Sequence, residues 1–235
     1  QRAVDLLTRA VDLFPESADF HNNLGCALAE LGRFSAALAA YEKALRFEPD
    51  RVDVYYNRGR ALRGLGRLEE AAASFGKALE LKPDYAVAWN SLGNVQTELS
   101  RFDAAIRSFS EAIALRPTDY AEAYYNRGKV LSMLLRLDEA LENFDKAIAI
   151  EPGHAEALGS KSMAMLLMGN FSEGLKLYEW RWAAQAQGVP ARKFQAPLWL
   201  GQEPIEGKTI LLASEQGFGD VIQFSRYAKL LAERG

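Results

Sequence analysis

The sequence predicts an all-α solenoid of stacked antiparallel helix pairs, followed by the first strand and helix of an incomplete α/β domain. Three observations predict the solenoid: glycines recur at intervals of 34, 34 and 35 residues, alanines recur in step with them, and a proline closes each unit. Such fixed intervals are typical of repeats that stack on their neighbours. The recurring residues are Gly25, Gly59, Gly93 and Gly128; Ala3, Ala37, Ala71, Ala105 and Ala140; and Pro15, Pro49, Pro83, Pro117 and Pro152.

The repeats divide the chain from its start to residue 188. Residues 1–17 are predicted to form the second helix of a truncated repeat, so we expect a fragment of a longer protein. Four complete repeats follow at 18–51, 52–85, 86–119 and 121–154. A degenerate fifth repeat occupies 155–188, where Ser162 replaces the glycine and Gly174 and Arg181 replace two alanines. Because terminal repeats often depart from the pattern, this unit is expected to end the stack or lead into another domain.

Each repeat contains two amphipathic stretches with a glycine-containing turn between them, such as Leu24, Leu28 and Leu31 followed by Leu38 and Tyr41. The glycine and alanine positions are expected to let the two helices approach closely. The aromatic position, Tyr41 in the first complete repeat, is expected to fill the gap towards the neighbouring pair. The proline is expected to end the second helix, because its ring cannot continue the hydrogen-bond ladder.

After residue 188 the helical period stops. Residues 189–206 are predicted to be a linker, because they combine prolines and glycines without a helical period. Residues 207–235 are predicted to begin an α/β domain, with a buried strand at 209–213 and a helix from about 220 to 233. One strand and one helix cannot make an independent domain. This tail is therefore expected to pack on the last repeat, to pair with a second copy in a homodimer, or to remain mobile.

The repeated phrases resemble a known family. "FHNNLGCALAELGRFSAALAAYEKALRFEP" and "AWNSLGNVQTELSRFDAAIRSFSEAIALRP" resemble the tetratricopeptide repeat, and the resemblance covers roughly residues 1–182. It implies a right-handed superhelix in which the first helix of each pair lines a concave groove. It also implies a protein-protein interaction scaffold whose groove binds a protein or peptide.

The groove positions implied by this resemblance carry amide, aromatic and cationic side chains. Such groups suit an extended peptide or a partner helix, because a peptide backbone needs hydrogen-bond partners. The alternative is an inner face that is merely solvated. The candidate groove residues are Asn22, Asn23, Tyr56, Asn57, Arg60, Arg63, Asn90, Asn94, Tyr125, Asn126 and Lys129.

Two functional subtypes of the family can be compared with these positions. Chaperone-binding members clamp a C-terminal carboxylate with lysine, asparagine and arginine, but only Asn94 and Asn126 fit that pattern here, which disfavours this subtype. The O-linked N-acetylglucosamine transferases carry a ladder of asparagines that contacts the substrate backbone. The matching position holds Asn23, Asn57, Ser91, Asn126 and Ser160. This partial ladder favours peptide binding, although asparagine is also common there in the general repeat.

A second resemblance covers about residues 178–235. The segments "YEWRW" and "PLWLGQEPIEGKTILLASEQGFGDVIQFSRY" look like the junction in bacterial proteins that join these repeats to a heptosyltransferase-like (family 9-type) glycosyltransferase domain. It implies that residues 207–235 begin a Rossmann-like domain and that Asp220 is the catalytic base of an intact parent. Gly217 and Gly219 would form a phosphate or acceptor loop. Asp220 is also expected to cap its helix, and residues 1–235 alone are not expected to transfer sugar.

Composition limits the remaining function classes. Lys and Arg number 28 against 31 Asp and Glu, so a net charge of -3 gives no reason to expect nucleic acid or an anionic membrane as partner. The single Cys26 indicates a reducing compartment, and we expect a cytoplasmic protein. No apolar run reaches the ~20 residues needed to span a bilayer. His21 and His154 fit no metal or catalytic constellation, so no metal and no cofactor is expected.

Overall fold

The computed structural model describes residues 2–178 and Trp180, and this part of the chain contains eleven α-helices and no strand. The first helix is followed by five antiparallel pairs. The helices are α1 Arg2–Leu13, α2 Ala18–Glu30, α3 Phe34–Phe47, α4 Val52–Gly64, α5 Leu68–Leu81, α6 Ala86–Glu98, α7 Phe102–Leu115, α8 Ala121–Met133, α9 Leu137–Ile150, α10 Ala155–Leu167 and α11 Phe171–Tyr178. The predicted linker and α/β segment, residues 189–235, lie outside the described residues, as does Arg181.

The ends of the second helices follow the prolines. The helices α3, α5, α7 and α9 each end two residues before a proline, as the sequence predicts. A proline forces the residue before it out of the α region, so the helix has to stop there. The last helical residues are Phe47, Leu81, Leu115 and Ile150.

The turn inside each pair requires one residue with a left-handed backbone. Gly32, Gly66 and Gly169 occupy it with φ of +71°, +71° and +81°. Glycine adopts this conformation without a Cβ clash. Ser100 and Leu135 take the same place in the third and fourth complete repeats with φ of +57°, at a cost of roughly 1–2 kcal/mol each. The geometry of the pair therefore overrides the local preference of these two residues.

An aromatic ring of the second helix lies on the glycine of the first helix of the same pair. A methyl group built at Gly59 would lie 2.7 Å from the ring of Phe75, and one at Gly93 would lie 2.6 Å from the ring of Phe109. Both rings are 1% exposed. The ring fills the space that the missing Cβ of the glycine leaves within the pair. Phe109 also shares a core cluster with Val130 of the next pair, which agrees with the expectation that the aromatic position packs towards the neighbouring pair.

The core runs along the stack. Each of the helices α3, α5, α7 and α9 packs both on the first helix of its own pair and on the first helix of the next. The alanines at these contacts are fully buried, so the helices approach closely. One pair therefore cannot bury its apolar surface alone, which confirms the predicted stacking. The fully buried alanines include Ala37, Ala71, Ala105 and Ala140.

The last pair, α10 and α11, replaces the glycine–aromatic contact with a different one. Ser162 is fully buried at the glycine position, and its hydroxyl donates a hydrogen bond to the carbonyl oxygen of Gly174 at 2.8 Å. A Cβ added at Gly174 would lie 2.8 Å from the Leu166 side chain. The two departures from the repeat pattern are therefore in contact, and the missing Cβ of Gly174 leaves room for the Leu166 side chain.

Candidate functional site

The first helices of successive pairs, α2, α4, α6, α8 and α10, also contact one another directly. They form one surface, named here the shared face. All eleven candidate groove residues lie on α2, α4, α6 and α8. The fold therefore brings onto one surface residues that the sequence spreads over four repeats.

An amide side chain bridges α2 and α4 on this face. Asn22, which is 6% exposed, donates a hydrogen bond from Nδ2 to Oδ2 of Asp53 at 2.9 Å. Its Oδ1 accepts a hydrogen bond from Nδ2 of Asn57 at 3.2 Å. Asn22 thus uses both ends of its amide to hold the next first helix. We call this arrangement an amide bridge.

The same amide bridge recurs between α6 and α8. Asn90, which is 3% exposed, donates from Nδ2 to Oε1 of Glu122 at 3.1 Å. Its Oδ1 accepts from Nδ2 of Asn126 at 3.1 Å. A buried amide needs partners for both its donor and its acceptor, and each bridge supplies both.

Aromatic rings replace the amide at the two remaining interfaces. Tyr56 of α4 packs against Tyr85, which precedes α6, with ring centroids 5.2 Å apart and the planes inclined by 52°. Tyr125 of α8 packs in the same way against His154, which precedes α10, at 5.1 Å and 45°. Burial raises the pKa of both Tyr85 and Tyr125, so both hydroxyls stay protonated at neutral pH. The interfaces between first helices therefore alternate between amide and aromatic contacts.

These contacts divide the candidate residues into two groups. The first group is buried or half-buried and already hydrogen-bonded or stacked: Asn22, Asn57, Asn90, Asn126, Tyr56 and Tyr125. Arg63 joins it, because its Nε donates a hydrogen bond to Oε1 of Glu98 at 2.7 Å. The other four candidates are Asn23, Arg60 and Lys129, which are exposed, and Asn94, which is half-buried. They have no hydrogen bond or ion pair with any described residue. The guanidinium carbon of Arg60 lies 6.0 Å from the centroid of the Tyr56 ring.

A cleft of about 570 Å³ opens on the shared face among α2, α4 and α6. Its wall includes the rings of Phe34, Tyr41 and Phe75, which belong to second helices. Concave sites that combine apolar walls with a few polar groups are typical of ligand binding. The charged side chains that line it are Glu30, Arg60, Arg63 and Glu98.

A thiol and a phenol meet at this cleft. The Tyr41 hydroxyl lies 3.6 Å from Sγ of Cys26, and Nδ2 of Asn57 donates to the same sulfur at 3.3 Å. Burial raises the pKa of Tyr41, with the contact to Cys26 acting in the same direction. These groups close the inner wall of the cleft with contacts inside the chain.

The acidic side chains at the start of α2 and α4 are held by one arginine. Arg51 donates from Nε and Nη2 to the two carboxylate oxygens of Asp53, both at 2.8 Å. It also reaches Asp19 at 2.8 Å and Glu48 at 3.0 Å. These hydrogen bonds favour the ionised carboxylate and lower the pKa of Asp53. Arg51 therefore offsets only part of the negative charge of these three carboxylates.

The two histidines have structural roles. Nε2 of His21, which is 3% exposed, donates to the carbonyl oxygen of Pro15 at 2.8 Å, and its ring stacks on Phe47. Nδ1 of His154 accepts from the backbone nitrogen of Ala157 at 3.4 Å and so caps α10. Within residues 2–178 no three metal-ligating side chains lie together, and no helix there is long and apolar enough to cross a membrane.

Comparison with protein families identifies the repeat. Residues 1–52, 23–86 and 56–120 match one model described as the tetratricopeptide repeat, and residues 121–154 match a second model with the same description. The chain belongs to the tetratricopeptide repeat family. No curated protein matches its sequence.

Several solved structures resemble this fold. The crystal structure of MamA shares 29% of residues with this chain, with a TM-score of 0.64, and the match covers 69% of this chain and 95% of MamA. YrrB, described as a tetratricopeptide repeat protein with an unusual peptide-binding site, has 26% sequence identity to this chain and a TM-score of 0.63. That match covers 79% of this chain and 95% of YrrB. PilF of Pseudomonas aeruginosa resembles this chain in fold, with 19% sequence identity and a TM-score of 0.67. That match covers 77% of this chain and 82% of PilF.

Sequence reasoning missed part of the site in this repeat chain. Glu30, Phe34 and Glu98 line the cleft but were not among the candidates. Glu98 had a signal in the sequence, because it follows Arg63 by about one repeat and therefore lies on the next first helix. The candidates Gly217, Gly219 and Asp220 lie outside the described residues.

Proposed function

We propose that this chain is a protein-interaction scaffold whose concave groove, formed by the shared face, binds an extended peptide or a partner helix. The observation that carries the proposal is the cleft of about 570 Å³ on that face, which is lined by Arg60, a side chain with no hydrogen bond or ion pair to the described residues. A bound backbone supplies the donors and acceptors that such side chains need. The likeness to YrrB, described as having a peptide-binding site, supports the same assignment.

The two groups of groove residues have different tasks in this proposal. The amide bridges of Asn22 and Asn90 fix the spacing of the first helices, so that the groove is formed before a partner arrives. Such preorganisation lowers the entropic cost of binding. Asn23, Arg60, Asn94 and Lys129 contact the partner. Arg63 acts together with Glu98, and Tyr56 and Tyr125 pack between helices and present one edge to the groove.

The proposal can be tested with peptides selected on the chain. A random peptide library displayed on phage is selected against the 235-residue protein, and affinities of the selected peptides are measured by fluorescence anisotropy. We expect Arg60→Ala and Asn94→Ala to weaken binding by about threefold to tenfold each, as for the loss of one polar contact. The matched control is Arg107→Ala, an exposed arginine on the second helix α7. Equal affinity for the groove variants and the wild type would contradict the proposal.

A second candidate function is acceptor recognition within a glycosyltransferase, favoured by the sequence resemblance of residues 178–235. In that case the groove would present a polypeptide, and Asp220 would act in a transferase domain completed by further residues. We expect no sugar transfer by residues 1–235 with any nucleotide sugar. Turnover that is lost in Asp220→Asn would instead show that a complete donor site is present in this chain.

A further inference from the structure

One position of the first helices carries a row of groups whose chemistry changes along the shared face. In α4, α6, α8 and α10 this position holds Arg60, Asn94, Lys129 and Met163. The row therefore runs from a cation to an amide, to a second cation and then to an apolar side chain. We call it the central row. Arg60, Lys129 and Met163 are exposed, with Met163 49% exposed.

The two cations of the central row have no carboxylate within ion-pair distance among the described residues. Glu98 is the acidic neighbour on α6, but it is already paired with Arg63. Glu122 accepts a hydrogen bond from the buried Asn90. Two cations without an ion-pair partner among the described residues can each meet a carboxylate of a ligand.

The remaining carboxylates near the central row differ in their partners. Asp53 is held by Arg51. Glu30 lines the cleft together with Arg60 and forms no ion pair there. Because Arg63 of the same cleft is paired with Glu98, Arg60 is the cleft cation that has no ion pair among the described residues.

The apolar end of the central row is a patch on α8 and α10. Met133, one turn after Lys129 on α8, is 53% exposed, and Leu167, one turn after Met163 on α10, is 60% exposed. In α2, α4 and α6 the position equivalent to Met133 and Leu167 holds Glu30, Gly64 and Glu98, respectively. The change from polar to apolar groups is thus confined to one end of the described face.

We propose that the groove selects an extended peptide that carries two carboxylates followed by an apolar side chain. The inference rests on the proposed function and specifies the partner. Packed helices lie about 8–10 Å apart and an extended chain rises about 3.3 Å per residue, so the two carboxylates lie about five or six residues apart and the apolar side chain about three residues later. Asn94, between the two cations, hydrogen-bonds the peptide backbone.

The test uses synthetic peptides on the 235-residue chain. Peptides with two glutamates separated by three to eight residues, and a leucine three residues after the second, are titrated by fluorescence anisotropy at low salt. We expect the affinity to be highest at a separation of about five or six residues. Arg60→Glu should lower the affinity for the tightest-binding peptide by roughly threefold or more. A lysine in place of its first glutamate should restore binding to that variant. Arg107→Glu is the control for total charge.

The outcomes separate the two proposals. Affinity that does not depend on the separation, but still falls in Asn94→Ala, would overturn this inference and leave peptide binding in place. Failure of every peptide to bind would count against both. Equal losses in Arg60→Glu and Arg107→Glu, or equal binding of a single-stranded oligonucleotide, would show a general attraction for polyanions and would also overturn the inference.

Discussion

Single side chains decide how closely the two helices of a pair approach. A methyl group at Gly93 would lie 2.6 Å from the buried ring of Phe109, whereas carbon atoms are in ordinary contact at about 3.5–4.0 Å. Neither the ring nor the helix can move without disturbing the next pair, because the core is continuous along the stack. The repeated glycine is therefore a packing residue, although it lies inside a helix.

We expect Gly93→Ala to lower the free energy of unfolding by about 1–3 kcal/mol, because overpacking outweighs the ~1 kcal/mol that alanine gains in helix propensity. Urea unfolding followed by circular dichroism measures the change. The matched control is Gly76→Ala on α5, where no atom lies within 4 Å of the added methyl group. There we expect a gain of about 0.5–1 kcal/mol. Similar changes at both glycines would contradict the packing role of Gly93.

Two asparagines one turn apart on α6 separate stability from binding. Asn90 is 3% exposed and bonded at both ends of its amide, while Asn94 has no hydrogen bond with the described residues. We expect Asn90→Ala to lower the free energy of unfolding by about 1–3 kcal/mol, because loss of the amide bridge leaves Glu122 and Asn126 without these hydrogen bonds. Asn94→Ala should change it by less than ~0.5 kcal/mol.

Peptide affinity is the second measurement on this pair. Asn94→Ala should weaken a selected peptide, because its amide faces the groove in our proposal. If Asn90→Ala unfolds at the same urea concentration as the wild type, the amide bridge contributes nothing to stability and its assigned role is wrong.

At the scale of helices, the alternating contacts make two consecutive repeats the true structural period of the shared face. Asn22 and Asn90 bridge polar interfaces, and Tyr56 and Tyr125 pack at the aromatic ones. The amide interfaces include the carboxylates of Asp53 and Glu122, and the aromatic interface between α4 and α6 also carries the ion pair of Arg63 with Glu98. Only the interface between α2 and α4 includes a carboxylate whose pKa is lowered, that of Asp53.

The interface between α2 and α4 should therefore respond to acid. A carboxyl group with a lowered pKa in the folded state stabilises the protein above its ordinary pKa of about 4 and loses that effect as the pH falls through the folded value. We expect the wild type to be more stable than Asp53→Asn at pH 7, and the difference to shrink below about pH 4. Thermal unfolding of both proteins across this range measures it.

The control for this prediction is Asp50→Asn, an exposed aspartate in the preceding turn that forms no ion pair with the described residues. It removes one carboxylate without removing a contact to Arg51. A difference between wild type and Asp53→Asn that grows on acidification would mean that the pKa of Asp53 is raised in the folded protein.

The helix pairs could be predicted from the sequence because each marker residue acts locally. Pro49 ends a helix, Gly32 permits a turn and Gly59 lets two helices approach, whatever the rest of the chain does. The amide bridges could not be predicted in the same way. A hydrogen bond from Asn22 to Asp53 depends on how two helices from different repeats are rotated relative to each other, and packing of the whole stack sets that rotation.

A signal for the bridges was nevertheless present in the sequence. The position of Asn22 alternates between asparagine and tyrosine in successive repeats, ending with Tyr125. Alternation at one position indicates a period of two repeats. The assignment of Asn22 and Asn90 to peptide contacts treated that position as uniform, whereas the structure engages their amides between helices.

At the scale of the molecule, a linear stack makes stability local. The helix α1 packs mainly on α2, and α11 mainly on α10, whereas α4 to α9 have neighbours on both sides. In such a stack the terminal units open without the centre. We therefore expect native-state amide hydrogen exchange to be slowest in α4 to α9 and fastest in α1 and α11. Uniform protection of all described helices would contradict this account and indicate a single cooperative unit.

The central claim is that the shared face, and not the second helices, receives the partner. The most direct test is photo-crosslinking of a selected peptide that carries a photoreactive side chain at its centre, with the crosslinked residues identified by mass spectrometry. We expect crosslinks on α4, α6 and α8, close to Arg60, Asn94 and Lys129. Crosslinks confined to the second helices α5, α7 and α9 would contradict it.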